Sequence, residues 1–452
     1  MEMPEFLPRS KAALGLALTS WLVAAALPAY GQPPAKSANE PTKKQLALIK
    51  QCESWERWFE QHGFVIHDAG LSAYLKRVAR PLVPDSPSYL AWQFQTLRDP
   101  LVLAFSLPNG AVYVSSGMLA RLENDDQLAG VLAHEIGHVM SGDLFPVTRR
   151  EEKKAVARAI GAGLVGSVPI VGPAVEEAVF TGSGGPYWQW AYGQPLGPPE
   201  VWQYGIEAEE AADETAVSLL TRAGRDAAQL ARCLTVLDDR LDDEPNVTSY
   251  LDHEKLTARI AALTKSAPPA VRPPDAEGYI KAARPAIVEN IRLDVDRRML
   301  RSALAAAGRL EAAFPGDANI VNLHAEAYRM LGPRTPALTA DERAPRAQAA
   351  ILKSVAGETL LQENKLLSGT PEGTETQRKN WMEAEKLYLR ALQMAAPPVR
   401  AHLGLGRLYA AQGKTAEARA QFEEYLRLAP NPPNRVQVED LLAALSASGG
   451  KK

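Results

Sequence analysis

The chain has 452 residues, 46% hydrophobic and 23% charged, which excludes wholesale disorder and leaves room for two or more domains with sizeable cores. A formal net charge of -3, without clustered excess Lys and Arg, excludes a nucleic-acid surface. Cys52 and Cys233 are too few for a disulfide scaffold and lack the paired spacing of a Cys-ligated zinc site, so they either pair in an oxidising compartment or stay as two buried thiols.

Arg9 and Lys11 precede an apolar run from Ala12 to Leu27, and Ala29-Tyr30-Gly31 puts small residues at the -3 and -1 positions of a cut before Gln32. This pattern predicts a secretory signal over 1–31, followed by a flexible leader over 32–43, and so an exported protein. Helical periodicity is expected from Lys44 to Gln61 and from Leu71 to Leu82. Leu101–Phe105 and Ala111–Val114 are strand-like and flank Pro108-Asn109-Gly110, a hairpin signal.

His134-Glu135-Ile136-Gly137-His138 follows directly. Four residues of helix turn through about 400°, so both imidazoles leave one face and can hold a Zn²⁺, with Glu135 beside them as general base. Asp125 or Asp126 is placed to cap this helix, and Leu128, Val131, Leu132, Ile136 and Val139 give it an apolar stripe. Residues 153–180 suggest a helical hairpin. Residues 181–204, crowded with Trp188, Trp190 and Trp202, read either as a substrate-contacting lid or as a surface loop anchored by its aromatics.

A catalytic zinc centre needs a third protein ligand and one position left for water. Candidates lie in Ile206–Glu214, where Glu209 and Asp213 are one helical turn apart, as are Glu210 and Glu214, so spacing does not choose between the pairs. In either, one carboxylate would ligate the metal while the other fixes a ligand His by a hydrogen bond.

The Pro-rich stretch 266–280 predicts a semi-rigid linker between a domain over 44–265 and a helical region over 281–447. In the latter, Leu405, Gly406, Tyr409, Ala418, Phe422 and Pro430 fit a tetratricopeptide repeat; one period of 34 residues earlier come Ala384, Tyr388 and Ala391. Ala303, Ala307, Leu310 and Pro315 close an earlier helix pair, and the register slips between Pro333 and Asn380. Stacked pairs of this kind offer a concave surface to protein partners.

Three segments carry a family resemblance: His134–His138, Glu209-Glu210-Ala211-Ala212-Asp213, and Leu107–Val114. Together they resemble the HtpX and CAAX-prenyl-protease-like zinc metallopeptidases; His253 through Arg259-Ile260 is similar to that family's later His-Pro…Arg-Ile element, with Glu254 where a Pro is usual. With a signal peptide and tetratricopeptide repeats, the chain resembles the BepA-like periplasmic branch. The resemblance implies a mainly α (α+β) protein, in which a zincin-like domain with a small β-sheet precedes an α-solenoid. It selects Glu209 as third ligand of one Zn²⁺ and Asp213 as the group behind a ligand His. It also implies that His253 is an extra, regulatory ligand or else a loop His near the cleft.

The expectation is an exported HExxH zinc metalloendopeptidase of gluzincin type. His134, His138 and Glu209 hold the metal, Glu135 is the base, and Arg259 either stabilises an oxyanion or braces the cleft. Ala111, Val112, Tyr113 and Val114 form a strand that could pair with an extended substrate. The implied partners are unfolded or stalled proteins and, through the repeats, outer-membrane assembly machinery; peripheral contact with a membrane is compatible with this reading. The rival from another class is a chaperone or assembly scaffold with a latent or structural zinc site.

Overall fold

The computed structural model describes residues 41–87, 89–100, 102–141, 206–239, 253–268, 272–297, 299–331 and 371–449. The expected leader, the hairpin over 153–180 and the aromatic stretch 181–204 lie outside the described residues. The architecture is mainly helical around one small sheet. Helix α1, Lys43–Gln61, starts in a reciprocal capping box between Thr42 and Gln45, and α2, Ala69–Ala79, starts on the Asp68 carboxylate.

Three strands follow: β1 at Gln93–Leu97, β2 at Ala104–Ser106 and β3 at Ala111–Ser115, in the order β1-β3-β2. β2 and β3 form the antiparallel hairpin read from Asn109-Gly110, where Gly110 takes a φ of 93° that only glycine adopts cheaply. β1 runs parallel to β3 on the other side. Phe105 stacks on Tyr113 at 5.2 Å in a cluster with Trp55 and Phe59 of α1, whereas Val112 and Val114 join the main core on the opposite face.

Beyond the sheet come α3, Ser116–Arg121, and the metal-motif helix α4, Asp125–Ser141. The cap of α4 is Asn124, whose Oδ1 accepts from the backbone N–H groups of Asp126 and Gln127 at 3.1 and 2.9 Å. The expected capping acids serve otherwise. Asp125 and Asp126 pair with Arg225 Nη1 at 2.5 and 2.7 Å and with Arg272 Nη2 at 2.9 and 2.6 Å. Leu128, Leu132 and Ile136 are fully buried, a stripe worth roughly 1.5–3 kcal/mol per side chain as an upper bound.

Helix α5, Ile206–Arg222, crosses α4 closely because two small residues meet. A Cβ added to Gly137 would lie only 3.1 Å from Ala212 Cα. Helices α6, Ala228–Asp239, and α7, His253–Ser266, pack against one another beside them. Cys52 and Cys233 are free, buried thiols in separate clusters, so the paired alternative fails.

The Pro-rich stretch does not separate two independent bodies. Helix α8, Ala276–Arg297, puts Tyr279, Ala283, Ile287 and Ile291 into the same core as α2, α3 and α4. Polar contacts reinforce this seam. Tyr279 Oη donates to Leu119 O at 2.6 Å, Ser116 Oγ to Asn290 Oδ1 at 3.0 Å, and Arg121 Nη2 to Ser302 Oγ at 2.9 Å. Arg309 Nη1 donates to Leu122 O at 2.9 Å, satisfying a carbonyl at the end of α3.

Helix pairs then stack as the repeat pattern requires. α9, Leu300–Ala313, is followed by α10, Ala318–Met330, and α11, Pro371–Leu392; then come α12, Arg400–Ala411, α13, Thr415–Leu428, and α14, Arg435–Gly449. Ala303, Ala307, Leu310, Ala384, Tyr388, Ala391, Leu405, Ala418 and Phe422 are all fully buried between them. α10 packs directly on α11, and most of the segment where the register slips lies outside the described residues. No helix of the described residues is long and apolar enough to cross a membrane.

Candidate metal centre

α4 projects His134 and His138 from one face, and their Nε2 atoms lie 3.1 Å apart. α5 brings Glu209 to them, with Oε2 at 3.4 Å from His134 Nε2 and Oε1 at 3.8 Å from His138 Nε2. A tetrahedral Zn²⁺ with bonds of about 2.0–2.1 Å separates its ligands by about 3.3 Å, so these groups stand close to the spacing the ion needs. Two imidazoles and one carboxylate are also the donor set that leaves the fourth position for water. Glu210 and Glu214, the pair that spacing left open, are exposed on another face of α5.

Behind these ligands lies a second layer. Asp213 Oδ1 is 2.9 Å from His134 Nδ1, where it favours the tautomer that leaves Nε2 for a metal. Arg259 on α7 grips Asp213 with both arms, Nε to Oδ2 at 2.8 Å and Nη2 to Oδ1 at 2.9 Å. Its Nη1 lies 2.8 Å from Glu209 Oε2. Of the two roles expected for Arg259, this geometry serves bracing. Burial opposes ionisation of Asp213, but His134 and Arg259 outweigh it and hold the carboxyl down to about 2.

The two imidazoles are driven apart. Burial pulls the His134 pKa down, yet Asp213 and Glu209 overcome it and push it up to about 10. Burial and the neighbouring His134 hold His138 down to about 3. Burial raises Glu135 to about 7, with His134 offsetting part of the effect. A carboxylate poised near neutrality suits a group that takes a proton and returns it. Ser106 Oγ, on β2, donates to Glu135 Oε2 at 3.1 Å.

Residues 67–271 match peptidase family M48, and residues 399–432, spanning α12 and α13, match the tetratricopeptide repeat. The segment from 67 to 271 is an M48 peptidase domain. Relatives include the mitochondrial metalloendopeptidase OMA1 of Schizosaccharomyces pombe, 38% identical over 88 residues, covering 19% of this chain and 24% of that protein. The beta-barrel assembly-enhancing protease of Yersinia pestis is 27% identical over 177 residues, covering 39% and 34%. Its Escherichia coli counterpart is 25% identical over 230 residues, covering 50% and 42%. Each match thus spans less than half the length of the relative.

Within the M48 domain, one expectation is overturned. Ala111, Val112, Tyr113 and Val114 cannot receive a substrate strand, because β3 is the middle of the sheet, paired on both sides and buried throughout. The outer strand on the site's side is β2. His253 begins α7, but its side chain lies outside the described residues. Sequence reading missed Ser106 and the Gly137–Ala212 contact. The alternation of Ala104 and Ser106 about Phe105 was a usable signal for the first; nothing local signalled the second.

Proposed function

We propose that the chain is an exported zinc endopeptidase acting on unfolded or stalled proteins, in outer-membrane protein assembly or its quality control. The observation that carries this reading is the His134–His138–Glu209 triangle with Glu135 adjoining it, the ligand atoms lying within 4.8 Å of one another among the described residues. Zn²⁺ held there would polarise a peptide carbonyl and acidify water. Glu135 would take a proton from the attacking water and deliver it to the leaving amine. Asp213 and Arg259 keep the ligands aimed and the charge of Glu209 neutralised. An extended peptide laid beyond β2 would pass Glu135 and use mostly backbone hydrogen bonds, which suits a permissive substrate range.

The leader pattern over 1–31 supports export to the periplasm, and the repeats support recruitment of protein partners. The names of the bacterial relatives support the link to β-barrel assembly. The test is casein cleavage by the zinc-loaded chain and by its Glu135→Gln variant. Loss of cleavage with one zinc retained supports the enzyme. Equal cleavage by both, or none by wild type and by His253→Ala alike, rejects it in favour of a scaffold.

A further inference from the structure

The face of the sheet that meets α4 carries two buried hydroxyls, Thr96 on β1 and Ser106 on β2, among apolar side chains, and of the two Ser106 is the one bonded to α4. Its neighbours there are Val112, directly across the hairpin, and Val114 and Ala104 two residues along, all packed with the main core. A fully buried hydroxyl among such groups needs a partner to offset its lost hydration, and Ser106 Oγ finds Glu135 Oε2 at 3.1 Å. The bond joins residues 29 positions apart on two different elements, so it is not a local turn contact. Phe105, stacked on Tyr113, fixes which way β2 presents its alternate side chains.

We propose that Ser106 is a positioning residue for the general base, holding one carboxylate oxygen of Glu135 so that the other faces the metal and the water. This deepens the peptidase reading and rests on it. Glu135 is reached from α4 by a flexible side chain, and its Oε2 would otherwise be free to rotate toward the ligands. A donor on the outer strand ties the base to the strand along which a peptide would lie. The base is therefore aimed relative to the substrate as well as to the metal. The serine takes no proton and forms no bond to substrate; it acts only through Glu135.

The experiment uses the full-length zinc-loaded chain with Ser106→Ala, Ser106→Thr, Glu135→Gln and His253→Ala, reading kcat and KM on a quenched peptide together with zinc content and thermal midpoint. Ser106→Ala should lower kcat about tenfold, a fraction of the 10²–10⁴ that a general base contributes. KM, zinc stoichiometry and midpoint should be unchanged, and Ser106→Thr, which keeps the hydroxyl, should recover most of the rate. Wild-type kcat in Ser106→Ala overturns the proposal. A fall in zinc content or midpoint that matches the lost rate overturns it too, since that is the mark of a merely structural residue. Wild type and His253→Ala that both cleave no faster than Glu135→Gln sink the peptidase reading itself and the role of Ser106 with it.

Discussion

Replacing Gly137 by alanine should cost metal affinity out of proportion to stability. The new Cβ would sit 3.1 Å from Ala212 Cα and from its carbonyl oxygen, and 3.3 Å from Thr215 Cβ. Carbon atoms prefer about 3.5–4.0 Å, so α5 must retreat by roughly 0.5 Å. Overpacking of this size costs about 1–3 kcal/mol, partly offset by the roughly 0.8–1.0 kcal/mol that alanine gains over glycine in a helix. Net destabilisation is therefore small. Glu209 rides on the same helix, one turn before Ala212, and a ligand tolerates about 0.2 Å of error. Zinc affinity should fall at least tenfold, about 1.4 kcal/mol. Gly130→Ala is the control: its Cβ meets Leu230 at 3.3 Å, on α6, which carries none of the ligands. Competition with a chromogenic chelator gives affinity and scanning fluorimetry gives stability. Wild-type zinc affinity in Gly137→Ala, or equal losses in both variants, would refute the reasoning.

Asp213→Ala removes the group behind His134 and the bidentate partner of Arg259, and should weaken zinc binding by about 10–100-fold in the same chelator assay. Zinc loading should also release protons. The proton held on His134 up to about pH 10 by Asp213 and Glu209 must leave when a cation takes its nitrogen, so apparent affinity rises with pH. Calorimetry in buffers of different ionisation enthalpy should count about one proton per ion near neutrality. In the repeats, Tyr388 Oη donates to Glu326, which Arg329 Nε also holds at 3.0 Å. Tyr388→Phe should cost about 1–2 kcal/mol in denaturant unfolding while leaving zinc affinity untouched.

Much of this was legible because the informative patterns are local. The spacing of His134 and His138 is a property of one helix, and the repeat positions recur with a fixed period; both reappear as buried or facing side chains. Asn109-Gly110 located the hairpin, but not the strand that lies beside β3. β1, Gln-Phe-Gln-Thr-Leu, carries Gln93 and Gln95, and its parallel pairing comes from a segment that no turn joins to β3. That pairing is why β3 became central and lost its role as a docking edge. Asp125 and Asp126 looked like caps because acids commonly open helices, whereas their partners Arg225 and Arg272 are 100 and 147 residues away from Asp125. The Pro-rich stretch has spacer composition; its anchoring by Arg272 and by the Asp275 N–H, 2.7 Å from Asp125 Oδ1, is a tertiary fact. The Gly137–Ala212 approach likewise exists only once two distant helices cross.

The interior shared between α4 and α8 bears on how this molecule can be taken apart. Trimming the gene at the prolines would strip Tyr279, Ile287 and Ile291 from the wall behind the metal-motif helix, leaving an open trough where a core should be. A shortened catalytic fragment should therefore aggregate, and the first two helices after the prolines belong with the peptidase in any expression design. At the edge of the same seam, Arg272 and the Asp275 N–H both hold Asp125, so the approach to α8 is fastened to the root of α4.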